Sequence, residues 1–195
     1  MSPVIFEMAS IVISVILCSI AVKLVDDFLD SDLDARAGCN NFSNTLGNGT
    51  IVYGILALSI AASINASVSI PLFLASYSIG MFSDFKKTFI SGLSGLQESL
   101  LVFILGGMLW SWHSMLFSLF FIFSIQLFDD YLDIHTDQLA GYRNLAQRIG
   151  KVECLLLSIL ATCITWLIDE HMFPLVFLGT AIFYISLFYY QKGRS

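Results

Sequence analysis

The sequence predicts an all-α, polytopic membrane bundle, and three observations carry that expectation. The 195 residues are 57% hydrophobic and only 12% charged, half the share of a soluble chain, which carries about a quarter of its residues as Asp, Glu, Lys or Arg. The apolar residues gather into seven stretches, roughly 4-24, 50-65, 68-83, 89-110, 112-128, 152-168 and 172-190. All nine Lys and Arg fall on or beside alternate connections between those stretches or on the C-terminal tail. A disordered chain is excluded, because such chains lack apolar residues. Nucleic-acid binding is excluded by a formal charge of -6 and the absence of any basic run.

Taken in order, the first stretch has no basic residue ahead of it and runs into Asp26 without a small-residue cleavage site. It therefore predicts a retained helix rather than a signal peptide. The stretches 50-65 and 68-83 are each shorter than the ~20 residues of a straight span and are parted only by Asn65–Ser69 and Pro71. They are read as two spans on charge grounds, given below. The fourth stretch carries Ser91, Gly92, Ser94, Gly95 and Ser99, small residues that let helices approach closely. It also carries Glu98, which as an intramembrane acid is either functional or a packed protonated residue. Trp110, Trp112, Trp166, Tyr189 and Tyr190 lie near span ends and suit an interfacial belt. Cys18, Cys39, Cys154 and Cys163 form no metal-binding spacing, and the three in or beside apolar runs read as small hydrophobes. Three sequons, at Asn41, Asn48 and Asn65, read as chance matches, two cytoplasmic and one pressed against the membrane.

With seven spans, Lys23, Arg36, Lys86, Lys87, Arg143, Arg148, Lys151, Lys192 and Arg194 all lie on one face. The other face holds the N-terminus, Asn65–Ser69, Ser111–His113 and Asp169–His171, with no Lys or Arg. Six spans would split the basic residues between faces. The positive-inside bias makes the basic face cytoplasmic and puts the N-terminus outside. The expectation is a single integral domain over 1-195 in a prokaryotic cell membrane, with a two-half internal repeat at about 4-110 and 112-190.

The repeat is suggested by the acids. Nine of eleven aspartates lie in two nine-residue windows, Asp26-Asp27-Phe28-Leu29-Asp30-Ser31-Asp32-Leu33-Asp34 and Asp129-Asp130-Tyr131-Leu132-Asp133-Ile134-His135-Thr136-Asp137. Both read D-D-aromatic-L-D-x-x-x-D, and both follow an apolar span, the first and the fifth. Asp27, Asp30 and Asp34, like Asp130, Asp133 and Asp137, share one face if the helix continues. Two carboxylate stripes repel themselves unless a cation resolves the charge. Mg²⁺ suits them, taking one or two carboxylates together with substrate phosphate oxygens. As a Lewis acid it assists departure of a diphosphate from an allylic carbon. The alternative is that these are polar loop residues and helix caps. Arg36, Lys86, Lys87, Arg143 and Arg148 lie near the windows and are natural diphosphate partners, whereas Lys192 and Arg194 read as topology signals. His135 reads as an exposed loop residue.

The windows resemble the aspartate-rich motifs of the UbiA superfamily of intramembrane prenyltransferases, N-D-x-x-D-x-x-x-D and a second motif, often D-x-x-x-D. Asp26 stands in the Asn position, with Asp27, Asp30 and Asp34 behind it; Asp129, Asp133 and Asp137 supply D-x-x-x-D spacing twice. Gly141–Gly150 is similar to the family's G-x-R-T-L-A-x-R-L-G stretch, and Tyr77-Ser78 to Lys86-Lys87 resembles its Tyr and Lys/Arg loop. The resemblance implies a helical bundle whose members transfer a prenyl chain from a prenyl diphosphate to a lipid-soluble acceptor, usually aromatic or quinone-type, with Mg²⁺. It implies a metal set of Asp26, Asp27, Asp30, Asp34, Asp129, Asp130, Asp133 and Asp137, with Asp27, Asp30, Asp130 and Asp133 at the centre of catalysis. By the same carry-over Arg36, Lys86, Lys87, Arg143 and Arg148 contact substrate phosphates. The chain corresponds to a short member lacking the family's first and last helices, so a second copy or a partner subunit is expected to close the bundle. The family's R-P element is absent, with Asn40–Asn44 near its place.

Two further readings stay open from sequence: a terpene cyclase on the same scaffold, and a non-catalytic subunit that binds isoprenoid or metal. The CDP-alcohol phosphotransferase pattern D-x-x-D-G-x-x-A-R is not met. Ser31 follows Asp30, Ala35-Arg36 is one residue out of step, and the later acidic motif is missing.

Overall fold

The computed structural model describes residues 3–31, 41–81, 88, 91–140 and 144–192. These are helices joined by short turns, and no strand occurs among the described residues beyond an isolated bridge between Thr88 and Ser94. The helices are α1 (Pro3–Leu29), α2 (Phe42–Leu46), α3 (Gly49–Met81), α4 (Gly95–Leu109), α5 (Trp112–Leu132), α6 (Ile134–Ala140), α7 (Leu145–Ile149), α8 (Lys151–Ile168) and α9 (Met172–Lys192). Five of them, α1, α3, α5, α8 and α9, are long and apolar enough to cross a membrane. Only 22% to 39% of each spanning window is buried inside the protein. Leu167 is 81% exposed and Met108 71% exposed. A soluble monomer rarely exposes large contiguous apolar patches, so these outer faces belong against lipid and the protein is an integral membrane protein. Helices serve there because each backbone N–H finds its carbonyl within the segment.

Five spanning helices, against seven apolar stretches, has two physical reasons. The stretches 50-65 and 68-83 are joined in α3, whose 33 residues would extend about 50 Å if straight, well beyond the ~30 Å hydrocarbon core. α3 is not straight: Asn65 is non-helical at φ -153°, ψ 88°, six positions before Pro71. Ser14 Oγ, on α1, lies 3.0 Å from the Ala61 carbonyl and 3.2 Å from that of Asn65, so its proton serves the groups exposed by the break. The stretch 89-110 yields the 15-residue α4, which starts late because Ser94 and Gln97 form a capping box at Gly95.

The chain forms two compact units, Met1–Ile70 with His171–Ser195, and Pro71–Glu170. In the first, α1 packs on α9 and α2. α9 comes close at Gly179, where a Cβ would lie 2.9 Å from Val15 Cβ and 3.1 Å from the Val12 carbonyl. Cys18 Sγ donates to the Ser69 carbonyl at 3.3 Å. In the second unit, α5 and α8 form the most extensive pair. Ser158 Oγ donates to the Ser124 carbonyl at 2.9 Å and Cys154 Sγ to that of Leu127 at 3.2 Å. Leu127, Ala146 and Cys154 form a buried cluster, against which Phe123, Ile134 and Leu145 pack.

The two units repeat one burial register. α1 buries Ser14, Val15, Cys18, Ala21, Leu24 and Asp27; α5 buries Phe117, Ser118, Phe121, Ser124, Leu127 and Asp130, each 103 positions later. The early part of α3 buries Thr50, Gly54, Ala57 and Ala61, and α8 buries Cys154, Ser158, Ala161 and Thr165 with the same internal spacing. Small residues dominate both of the latter rows, as close packing of helices in a membrane requires.

Candidate functional site

Each acidic window sits where a long helix ends. Asp26 and Asp27 lie in the last turn of α1, and the Asp30 amide donates to the Asp26 carbonyl at 2.9 Å. Asp129 and Asp130 lie in the last turns of α5, and the Asp133 amide donates to the Asp129 carbonyl, also at 2.9 Å. Helical hydrogen bonding then continues from the Asp137 amide to the Asp133 carbonyl at 2.9 Å, so the second window stays near-helical into α6. In the second window helical hydrogen bonding therefore carries the aspartates beyond the apolar run as far as Asp137; in the first, Asp32 and Asp34 lie outside the described residues.

Burial separates the aspartates by position. Asp27 is 4% exposed and Asp130 is 6% exposed, whereas Asp26, Asp30 and Asp133 are exposed and Asp129 and Asp137 half-buried. The two buried carboxylates have matching partners. Asp27 Oδ2 accepts from the Phe42 amide at 2.8 Å, and Asp130 Oδ2 accepts from the Leu145 amide at 2.9 Å, in each case fifteen residues on. The Asp27 backbone carbonyl accepts from Asn41 Nδ2 at 2.7 Å, and that of Asp130 from Asn144 Nδ2 at 2.8 Å, each fourteen residues on. Four residues before each carboxylate, the same helix supplies a further partner. Lys23 Nζ lies 2.8 Å from Asp27 Oδ1, and Gln126 hydrogen-bonds the side chain of Asp130.

The asparagines hold equivalent local structure. Asn41 (φ -129°, ψ 141°) and Asn144 (φ -130°, ψ 128°) are extended N-caps of α2 and α7, accepting from the Ser43 and Gln147 amides. Both five-residue helices end on a glycine with positive φ, Gly47 at 54° and Gly150 at 108°, where a side chain would be strained. From each of these the chain re-enters an apolar helix. Asn41 is 6% exposed and Asn144 2% exposed, so their amides are satisfied by these bonds rather than by water.

The halves differ in detail. In the first, Ser43 Oγ adds a bond of 2.9 Å to the Asp27 carbonyl. The position matching Ser43 is Ala146, and there Asn144 Nδ2 donates instead to Asp137 Oδ2 at 2.7 Å. The second unit thus brings Asp130, Asp137 and Asn144 into one network. Arg148 stands exposed in the last turn of α7, three residues beyond the amide that Asp130 holds.

Of the other candidates, Asp34, Arg36, Lys86, Lys87 and Arg143 lie outside the described residues. Glu98, in the first turn of α4, accepts from Tyr77 Oη at 2.7 Å and from Ser91 Oγ, tying α4 to α3. His135 is exposed. No group of three His, Cys, Asp or Glu placed to hold a metal ion occurs among the described residues. Mg²⁺ does not require one, since it is commonly held through one or two carboxylates with waters and phosphate oxygens. The donor set is all oxygen, which suits Mg²⁺ and not a thiolate- or imidazole-preferring metal. Asn41, Asn144 and Gln126 escape sequence reasoning. The signal they leave is spacing: Asn and then Gly recur at the same distances behind Asp27 and Asp130.

No family model, no curated protein and no solved structure matches this chain.

Proposed function

We propose that the protein is a Mg²⁺-dependent intramembrane prenyltransferase, moving a prenyl group from a prenyl diphosphate to a lipid-soluble acceptor of the aromatic or quinone type. The observation that carries this reading is the recurrence of one acidic helix end. Two long apolar helices finish in the same D-D-aromatic-L-D order, with the same burial register and the same hydrogen-bonded return of the chain. A cap needed only to finish a helix has no reason to recur with exposed acids at fixed positions around it. Bound Mg²⁺ would neutralise the departing diphosphate and weaken its bond to the allylic carbon.

The chain's own residues supply the rest. Within each unit, the acids flanking the buried aspartate, Asp26 and Asp30 in the first and Asp129 and Asp133 in the second, would hold Mg²⁺. Arg148, with Arg36, Lys86, Lys87 and Arg143, binds the phosphates by charge-assisted hydrogen bonds. The apolar helices hold the prenyl chain away from water. Counted as seven spans, with the two parts of α3 and α4 as separate crossings, the chain would have its basic residues and both windows on the cytoplasmic face and its N-terminus outside, by the positive-inside bias.

The test is turnover. Purified protein in lipid nanodiscs, given Mg²⁺, radiolabelled prenyl diphosphates and an extract of membrane lipids, should release diphosphate and label an extractable lipid. Asp30→Ala and Asp133→Ala should abolish both. A cyclic hydrocarbon or alcohol formed without acceptor would replace this reading with a terpene cyclase. Retention of the substrate without any turnover would replace it with a binding subunit.

A further inference from the structure

We infer that Asp27 and Asp130 are positioning residues: each uses its carboxylate to seat the chain returning from the acidic window, rather than to hold the cation. Three observations, made twice over, support this. Both carboxylates are buried while their neighbours Asp30 and Asp133 are exposed. Both have one oxygen committed to a backbone amide fifteen residues on, at 2.8 Å and 2.9 Å. Both take a second partner from their own helix four residues earlier, Lys23 in one unit and Gln126 in the other. A carboxylate so engaged has few lone-pair directions left for a metal.

What the clamp seats is chemically useful. The Asn that bonds the same aspartate's carbonyl starts a five-residue helix, and in the second unit that helix carries Arg148. The order is therefore aspartate to amide, asparagine to carbonyl, and then the phosphate-binding cation one turn further. In the first unit the residue matching Arg148 is Thr45, so the two clamps are alike while the cargo differs. This assignment deepens the functional reading and rests on it only for its metal arm.

Conservative and truncating variants separate a clamp from a ligand. Asn at position 27 or 130 keeps an oxygen able to accept from the Phe42 or Leu145 amide but loses the charge a cation needs; Ala loses both. Hydrogen exchange followed by mass spectrometry on the full chain in detergent should show residues 42-47 exchanging about tenfold faster or more in Asp27→Ala, and less than about threefold faster in Asp27→Asn. Asp130→Ala and Asp130→Asn should do the same over 145-150. In Mg²⁺-dependent retention of a radiolabelled prenyl diphosphate, Asp27→Asn and Asp130→Asn should move the Mg²⁺ midpoint by less than about threefold, against about tenfold or more for Asp30→Asn and Asp133→Asn. Unchanged exchange in both alanine variants overturns the clamp. So does a Mg²⁺ midpoint shifted as far by Asp27→Asn as by Asp30→Asn while exchange stays native. A wild-type protein that retains no prenyl diphosphate removes the functional reading alone, because the exchange arm still decides the clamp.

Discussion

Replacing Asn144 by Ala should open the second window's return without unfolding the helices around it. Asn144 is 2% exposed, so water cannot replace what its side chain gives. That side chain donates to the Asp130 carbonyl at 2.8 Å and to Asp137 Oδ2 at 2.7 Å, and accepts from the Gln147 amide at 3.3 Å. A neutral hydrogen bond contributes about 0.5–1.5 kcal/mol net and one to a charged group about 1.5–3 kcal/mol. The charged partner here is half-buried, which places its bond at the low end. The loss is therefore about 2–4 kcal/mol, or about 30- to 700-fold in the local opening equilibrium. Amide hydrogen exchange over 145-150 in the detergent-solubilised protein reads that equilibrium directly. Asn41→Ala should act in the same way over 42-47, where its side chain bonds the Asp27 carbonyl and the Ser43 amide. Exchange in Asn144→Ala within about threefold of wild type, under ~0.7 kcal/mol, would refute the reasoning.

Four further outcomes follow from the packing and from one ion pair. Gly179→Ala should lower thermal stability by about 1–3 kcal/mol, since the added Cβ would meet Val15 Cβ at 2.9 Å; an unchanged melting temperature would show that α1 and α9 do not pack there. Gly107→Ala should perturb Trp112, whose ring would lie 2.5 Å from the new methyl, and shift its fluorescence; Gly80→Ala, with nothing within 4 Å, should be neutral or stabilise by up to ~1 kcal/mol. A double-mutant cycle between Lys23→Met and Asp27→Asn, read by thermal unfolding, should give a coupling of only about 0.5–1 kcal/mol, because the lysine side chain is 36% exposed. A coupling several times larger would mean that water does not screen the pair.

The helical class and the apolar runs are legible because a bilayer admits few alternatives and imposes length and composition on every crossing. The windows are legible because charge is scarce elsewhere in the chain. Where α3 breaks is less so: Pro71 marks the neighbourhood, yet the non-helical residue is Asn65, whose carbonyl finds Ser14 on another helix. The start of α4 is written in Ser94 and Gln97, but counting apolar residues runs past that signal to 89. The clamps stay hidden for a different reason. α2 and α7 have five residues each, too short for any periodicity, and each depends on a single asparagine in a polar segment. Composition also cannot separate Asp27 from Asp26 or Asp30. Only the helix register, which turns Asp27 inward and leaves its neighbours out, makes that distinction.

Equilibrium retention of a radiolabelled prenyl diphosphate by the purified protein, titrated with Mg²⁺, tests the central claim most directly. Saturable retention that rises with Mg²⁺, disappears in EDTA and is lost in the Asp30→Asn/Asp133→Asn double variant is the expected result. No retention at any Mg²⁺ concentration, or retention unchanged by EDTA and by the double variant, would contradict it.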